Sequence, residues 1–270
     1  MNRIDELFAR LKTEKRSAMI VYITGGDPTL AASAKIALAL EKAGVDLLEL
    51  GIPFSDPLAD GATIQAASGR ALAAGASVPG ILDLIREIRK TSQIPIVLFT
   101  YLNPVYVYGF EKFQNDALAA GADGLLLLDL PPQEATQNVE LSQRKGFKSI
   151  RLIAPTTPSE RLKEITDAAE GFIYYVSREG VTGEQSSLST DIAQRVKAIA
   201  NLTKVPVAVG FGISNAEQAA TVAALADGVV VGSAIVRRIG EIGNSADLPE
   251  LIGNFVAPIA KAVRNTHHDA

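Results

Sequence analysis

Residues 47–61 read LLELGIPFSDPLADG and place a carboxylate near the end of an apolar strand. Leu47, Leu48 and Leu50 are typical of a strand that is buried on both faces, as in a parallel sheet. An ionisable side chain among them must be paired, shifted in pKa or used in chemistry, which makes Glu49 the first candidate catalytic residue. The alternative is a structural ion pair between Glu49 and a buried Arg or Lys.

A second carboxylate, Asp60, follows Glu49 across a loop that is punctuated by Pro and Gly. Catalytic and binding residues often lie on loops that a rigid scaffold holds in place. A strand end and its adjoining loop can therefore present Glu49 and Asp60 to one pocket.

Short apolar runs alternate with helical patterns along almost the whole chain. This alternation predicts an α/β protein built from right-handed βαβ units with a parallel sheet, and eight units predict a closed (β/α)8 barrel. The eight predicted strands are Met19–Thr24, Asp46–Leu50, Pro95–Thr100, Gly124–Leu128, Ser149–Ala154, Phe172–Val176, Val205–Val209 and Gly228–Val231. We expect one domain over residues 1–270, with an additional N-terminal helix and extra helices near the C-terminal strands.

The rival fold is a doubly wound open sheet. Such a sheet is usually marked by a glycine fingerprint after its first strand, and the residues there, Gly25-Gly26-Asp27-Pro28, do not match it. In a (β/α)8 barrel the active site lies at the C-terminal ends of the strands. Glu49 occupies such an end, and side-chain alternation places it on the face opposite Leu48 and Leu50.

The composition of the 270 residues limits the classes of function. Without cysteine the chain has no disulfide, thiolate metal site or cysteine nucleophile, which is compatible with a reducing cytoplasm. A net charge of −4 with both signs interspersed argues against a nucleic-acid partner. Every apolar run is shorter than the roughly 18 residues that a membrane span requires. We expect a cytoplasmic protein with no membrane association.

A metal site is not expected. The two histidines, His267 and His268, lie in the polar C-terminal tail, which is typical of a frayed terminus. An oxygen-ligated metal would need clusters of acids, and the predicted loops lack them.

Glycines follow three late strands, in the segments Gly180–Gly183, Gly210–Ser214 and Gly232–Ala234. Loops after the seventh and eighth strands commonly form a phosphate site in this fold, and helix N-termini bind anions. The N–H groups of Gly212, Gly232 and Ser233 are therefore candidate phosphate ligands. Each glycine taken alone is also a common turn residue.

The polar stretch from Glu179 to Thr190 is longer than most connections between a strand and a helix. It is interpreted as a lid that closes over a ligand, with Thr182 and Gly183 in contact with it. The alternative is a disordered surface loop.

Three segments together resemble the tryptophan synthase alpha subunit family, and the likeness covers essentially the whole chain. They are Glu49–Gly61, Ser177–Gly183 and Val209–Ser214. The resemblance implies retro-aldol cleavage of indole-3-glycerol phosphate to indole and glyceraldehyde 3-phosphate, without a cofactor, in tryptophan biosynthesis.

The resemblance also implies roles for individual residues. Glu49 would be the general acid and base at the ring carbon and the hydroxyl, while Asp60 would stay ionised and accept the indole N–H. Tyr174 would line the site, Thr182 would hydrogen-bond Asp60 when the lid closes, and Phe211 would flank the ligand.

The partner implied by the resemblance is the tryptophan synthase beta subunit, in an α2β2 heterotetramer. The loop from Pro53 to Pro57 is the expected contact, and Asp56 matches an interface position in the family. An ordinary exposed acid is the alternative for Asp56. Pocket shape is left open, because Ala62, Tyr22 and Phe99 depart from the common pattern.

Two other functions use the same residues. A stand-alone indole-3-glycerol phosphate lyase would share every catalytic group and act without a partner. A non-catalytic phosphate-binding regulatory subunit would be expected to lack Glu49 or Asp60, and both are present.

Overall fold

The computed structural model describes residues 1–131, 134, 146–176, 185–210 and 212–267, with the backbone alone for 185–191. Within these residues eight parallel strands close into a barrel in sequential order. They are β1 Ala18–Thr24, β2 Leu47–Gly51, β3 Ile96–Thr100, β4 Gly124–Leu127, β5 Lys148–Ile153, β6 Ile173–Val176, β7 Val207–Gly210 and β8 Gly228–Val231. The predicted (β/α)8 barrel is confirmed, and every strand begins and ends within two residues of its predicted bounds.

The described helices surround this barrel. They are α1 Arg3–Glu14, α2 Leu30–Lys42, α3 Ala62–Ala73, α4 Val78–Arg89, α5 Leu102–Tyr108, α6 Phe110–Ala120, α7 Ser159–Asp167, α8 Gln185–Ala200, α9 Ala216–Ala223, α10 Ser233–Ile242 and α11 Leu248–Asn265. The predicted N-terminal helix is α1, and α11 is an extra helix after the last strand. Helix pairs also separate β2 from β3 and β3 from β4.

Side-chain alternation along the strands divides the core into two parts. Leu48 and Leu50 pack outward against the helices, while Leu47 packs inside the barrel. The barrel interior is filled by Ala18, Ile20, Leu47, Val97, Leu126, Ile150, Phe172, Ala208 and Val230. Helix α1 covers the N-terminal ends of the strands, because its buried stripe of Ile4, Leu7, Phe8 and Leu11 joins this interior cluster.

Three aspartates brace the N-terminal end of the barrel. Asp46, Asp123 and Asp227 each directly precede a strand and accept the backbone N–H of a residue in the preceding strand. The donors are the amides of Met19, Ile96 and Val207, at 2.9, 2.8 and 2.8 Å. Each carboxylate therefore joins the ends of two consecutive strands.

The loop predicted through Thr190 ends earlier than expected, because residues 185–190 belong to α8. Polar composition suggested a loop, but a surface helix needs only one apolar stripe. Buried Ile192, Val196 and Ile199 supply that stripe at helical spacing, and α8 extends from it toward the N-terminus. Among the helices that the structure describes, none combines the length and apolar character that a bilayer crossing requires.

Candidate active site

A cavity of about 740 Å³ opens at the C-terminal ends of the strands. It brings together six of the residues predicted for the site: Glu49, Asp60, Tyr174, Gly212, Gly232 and Ser233. Its walls include the apolar side chains of Tyr22, Ile64, Phe99, Leu128, Leu152 and Val230. The cavity therefore has polar groups at two places on a largely apolar wall, as small-molecule sites usually do.

Glu49 is fully buried in the middle of β2, between Tyr22 of β1 and Val97 of β3 in register. Neither carboxyl oxygen has a hydrogen-bond partner, and none of the ion pairs among the described residues includes Glu49. The alternative of a structural pair with Arg or Lys is therefore not observed in this part of the chain. Burial raises the pKa of Glu49 from 4.5 to about 8.

This pKa determines the chemistry that Glu49 can perform. A carboxyl group with a pKa of about 8 is mostly protonated at neutral pH and can donate its proton. The resulting carboxylate is basic enough to accept a proton back from a hydroxyl in the same cycle. Because the described part of the chain offers neither oxygen a hydrogen-bond partner, the lone pairs and the proton are available to a ligand.

Asp60 lies at the end of the β2–α3 loop, one residue before the Gly61 that precedes α3. Its side chain is half-buried, and its Oδ2 accepts a hydrogen bond from the Tyr101 hydroxyl at 3.0 Å. The same hydroxyl accepts the backbone N–H of Ala59 at 3.0 Å. Tyr101 thus holds both the loop and the carboxylate in place.

Tyr101 was not among the residues predicted for the site. Burial and the nearby Asp60 carboxylate raise the pKa of Tyr101, so the phenol keeps the proton that it donates to Asp60. A usable signal was present, since Tyr101 directly follows β3 at its C-terminal end, where barrel enzymes place functional residues.

Aromatic rings form the wall beside Glu49. The Tyr22 ring meets Phe99 edge-on, with the ring centroids 5.1 Å apart, and its hydroxyl is 3.3 Å from Thr24 Oγ1. A methyl group on Gly51 would overlap the Tyr22 hydroxyl, so Gly51 allows Tyr22 to lie against the next strand. These rings form a surface suited to a flat aromatic ligand.

Tyr174 has the same arrangement across the barrel. It is half-buried on β6, and a methyl group on Gly210 of β7 would overlap its hydroxyl. Burial, together with the nearby Glu49 and Tyr22, raises the pKa of Tyr174, which keeps its hydroxyl protonated.

The glycine-rich part of the cavity lies at the C-terminal ends of β7 and β8. Helix α10 begins at Ser233, and Gly232 precedes it without a side-chain cap. The first N–H groups of a helix have no partner inside the helix, and its dipole favours an anion there. Gly212 lies at the cavity edge with φ +48, a conformation that favours glycine. Among the described residues, neither Lys nor Arg lines this cavity.

Three predicted contacts, Thr182, Gly183 and Phe211, lie outside the described residues, as do residues 179–184 of the predicted lid. The predicted partner loop is described. Pro53 is buried within the chain, Asp56 is exposed, and Pro57 is half-buried. Leu58, beside Pro57, is 92% exposed.

The amino-acid sequence of this barrel matches a known protein family. The family model described as tryptophan synthase alpha chain matches residues 8–257. The chain belongs to the tryptophan synthase alpha chain family.

Members of this family resemble the chain over nearly its whole length. The tryptophan synthase alpha chain of Geobacter sulfurreducens is 48% identical over 98% of this chain and 100% of its own. The crystal structure of the alpha subunit from Legionella pneumophila strain Paris is 40% identical, with a TM-score of 0.90, over 98% of this chain and 99% of that one.

One similar structure is that of the tryptophan synthase α2β2 complex from Pyrococcus furiosus. The matching chain in that structure is 38% identical to this chain, with a TM-score of 0.80. The match covers 92% of this chain and 99% of that one. The tryptophan synthase alpha chain resemblance and the predicted barrel are thus confirmed by sequence and by structure.

Proposed function

We propose that the chain is the alpha subunit of tryptophan synthase and cleaves indole-3-glycerol phosphate to indole and glyceraldehyde 3-phosphate in the cytoplasm. The observation that carries the mechanism is the buried, unpartnered Glu49, with a pKa of about 8, in the same cavity as Asp60. Membership of the family supports the choice of substrate.

Glu49 moves the protons. Its carboxyl group protonates the ring carbon that bears the side chain, and its carboxylate then removes the proton of the adjacent side-chain hydroxyl. That oxygen becomes the aldehyde carbonyl as the carbon–carbon bond breaks, and the bonding electrons restore the indole ring. One proton enters and one leaves, so Glu49 ends the cycle protonated and no cofactor is required.

Asp60 stabilises the charge that the ring acquires. Protonation of the ring carbon makes the ring nitrogen cationic, and the Asp60 carboxylate accepts the N–H and offsets that charge. The hydrogen bond from Tyr101 fixes the direction in which the carboxylate faces.

Substrate orientation follows from the two ends of the cavity. The phosphate binds the N–H groups at Gly212, Gly232 and Ser233, because that end has a helix N-terminus. The indole ring packs near Tyr22 and Phe99. Tyr174, Thr182, Gly183 and Phe211 complete the proposed substrate contacts.

The proposed partner is a tryptophan synthase beta subunit, which takes up the indole. The α2β2 complex of a relative supports this part of the proposal. In this chain the exposed Asp56 and Leu58 lie in the loop that ends at Asp60. A partner bound there touches the same loop that positions the catalytic acid.

The test measures indole release from indole-3-glycerol phosphate by the purified chain, with and without a beta subunit. Replacement Glu49→Gln should lower turnover by about 100- to 10,000-fold, the usual contribution of a general acid and base. The matched control Glu87→Gln, at an exposed glutamate of α4, should leave turnover unchanged.

Each outcome has one meaning. Unchanged turnover in Glu49→Gln would refute the proposed mechanism. Absence of indole even with the beta subunit would refute the assigned reaction. Full activity of the isolated chain, with no gain from the partner, would identify a stand-alone lyase instead.

A further inference from the structure

We infer that Arg70 is a positioning residue that fixes the spacing between the Asp60 end and the phosphate end of the cavity. This inference rests on the proposed function. Arg70 lies on α3, away from the cavity lining, and acts through the two helices that begin at those ends.

The first observation is a two-point ion pair between Arg70 and Asp27. Arg70 Nε donates to Asp27 Oδ1 and Nη2 donates to Oδ2, both at 2.8 Å. Asp27 is 1% exposed and lies in the loop that follows β1. Its backbone N–H donates to the Thr24 carbonyl oxygen at 3.2 Å. A planar, two-point bond of this kind fixes both distance and orientation, which a lysine cannot do.

The second observation is that the same guanidinium group packs on α10. A β-carbon placed on Gly240 would lie 2.9, 3.1 and 3.2 Å from Nη2, Cζ and Nη1 of Arg70. The missing side chain at Gly240 therefore gives the guanidinium its place against the helix. Arg70 thus contacts the β1–α2 loop and α10 at once.

These contacts connect the two functional ends of the cavity. Helix α3 begins directly after Asp60 and Gly61, and α10 begins at Ser233. Between those starts and Arg70, the two helices meet through Ala67 and Val236, which form a buried cluster with Tyr22.

The helix pair therefore has two fixed points. One is the packing on Tyr22, close to the cavity, and the other is the contact of Arg70 with Asp27 and Gly240. Releasing the second point lets α3 tilt relative to α10, and Asp60 then moves relative to the phosphate site. A ligand that uses both ends is affected by such a shift, whereas a ligand that uses one end is not.

The experiment compares two ligands on the full chain by titration calorimetry. Glycerol 3-phosphate occupies the phosphate end alone, while indole-3-propanol phosphate occupies both ends and lacks the hydroxyl groups needed for cleavage. Arg70→Lys should weaken binding of indole-3-propanol phosphate about tenfold and leave binding of glycerol 3-phosphate within about twofold, since misplacement penalises only the ligand that spans both ends.

Two further variants show whether a change in the affinity ratio comes from the Arg70 contact and not from a general loss of folding. Gly240→Ala leaves Asp27 and Arg70 in place but pushes on the guanidinium, and it should change the ratio of the two affinities in the same direction. Arg86→Lys changes an exposed arginine of α4 that pairs with Asp83, and it should leave the ratio unchanged.

The results separate positioning from general stability. Equal losses for both ligands, or no loss for either, in Arg70→Lys and Gly240→Ala would overturn the positioning role. If the wild type cleaves the substrate and the ratio of the two ligand affinities is the same in the variants as in the wild type, only this inference fails. A wild type that releases no indole and binds neither ligand would overturn the proposed function and this inference with it.

Discussion

Asp123 and Glu49 are buried carboxylates at opposite ends of the barrel, and their surroundings differ. Asp123, at the N-terminal end, accepts hydrogen bonds from Arg3 and Arg89, both at 2.9 Å, and from the Ile96 amide at 2.8 Å. Glu49, whose side chain lines the cavity at the C-terminal end, has no hydrogen-bond partner on either oxygen among the described residues. A buried carboxyl group therefore stabilises the fold at Asp123, whereas at Glu49 it is available for chemistry.

The difference has a simple physical origin. Removing a carboxylate from water costs several kcal/mol, and paired cations and N–H donors offset that cost only where the fold supplies them. At Asp123 they are supplied, so the charge stabilises the native chain. At Glu49 they are not, so the proton stays on and the pKa is raised to about 8.

The largest expected effect comes from breaking the paired end. Asp123→Asn removes the charge that compensates Arg3 and the mostly buried Arg89, and it should lower the free energy of unfolding by about 4 kcal/mol. Urea unfolding at pH 7 measures this loss. Activity per folded molecule should be unchanged, because Asp123 lies at the end of the barrel away from the cavity.

A matched control separates the effect of burial from the effect of losing an ion pair. Asp83→Asn also removes a carboxylate paired with an arginine, but that aspartate is exposed on α4, so the change should be no more than about 0.5 kcal/mol. Equal losses in both variants would mean that burial does not set the strength of the Asp123 pairs.

The strands, and the position of an acid within the apolar β2, were predictable because local pattern decides them. A run such as Leu47–Leu50 is apolar on both faces only in a buried parallel strand, and eight repeats of that pattern leave a closed barrel as the simplest arrangement. The helix pairs after β2 and β3 were not placed, because a helix boundary within a polar connection depends on packing that no local pattern contains.

Pairing of the buried acids was not predictable. Asp123 precedes an apolar strand and Glu49 lies within one. The cations that pair with Asp123, Arg3 and Arg89, are 120 and 34 positions away in the sequence. Likewise Tyr101 and Asp60 are 41 residues apart, and only closure of the barrel brings them together. Contacts over such separations arise from the assembled fold.

An effect of opposite sign is expected at the buried Glu49. Between pH 4.5 and about 8 the folded chain keeps a proton on Glu49 that the unfolded chain releases. The unfolded state is therefore favoured as pH rises through this window, and the contribution of Glu49 to stability falls until about pH 8. Glu49→Gln does not titrate, so the stability of the variant relative to the wild type should rise by about 4 kcal/mol between low pH and pH 8.

Urea unfolding of both proteins at pH 5, 6.5 and 8 measures that gain, which should grow steadily with pH. Glu87→Gln, at an exposed position on α4, should show no such growth. A variant that is less stable than the wild type at every pH would mean that the Glu49 carboxylate has a stabilising partner in the native chain.

The smallest expected effect tests whether the hydrogen bond from Tyr101 holds the Asp60 carboxylate in place. Its Oδ2 accepts a hydrogen bond from the Tyr101 hydroxyl, which in turn accepts the Ala59 N–H. Tyr101→Phe removes both bonds and should lower kcat for indole release about fivefold, close to 1 kcal/mol, with the native fold retained. Tyr108→Phe is the matched control, since it removes a tyrosine bond to Asp116, a carboxylate outside the cavity lining, and kcat should not change. A loss as large as that of Glu49→Gln would mean that the phenol itself takes part in the reaction, whereas no loss would mean that other groups hold Asp60 in place.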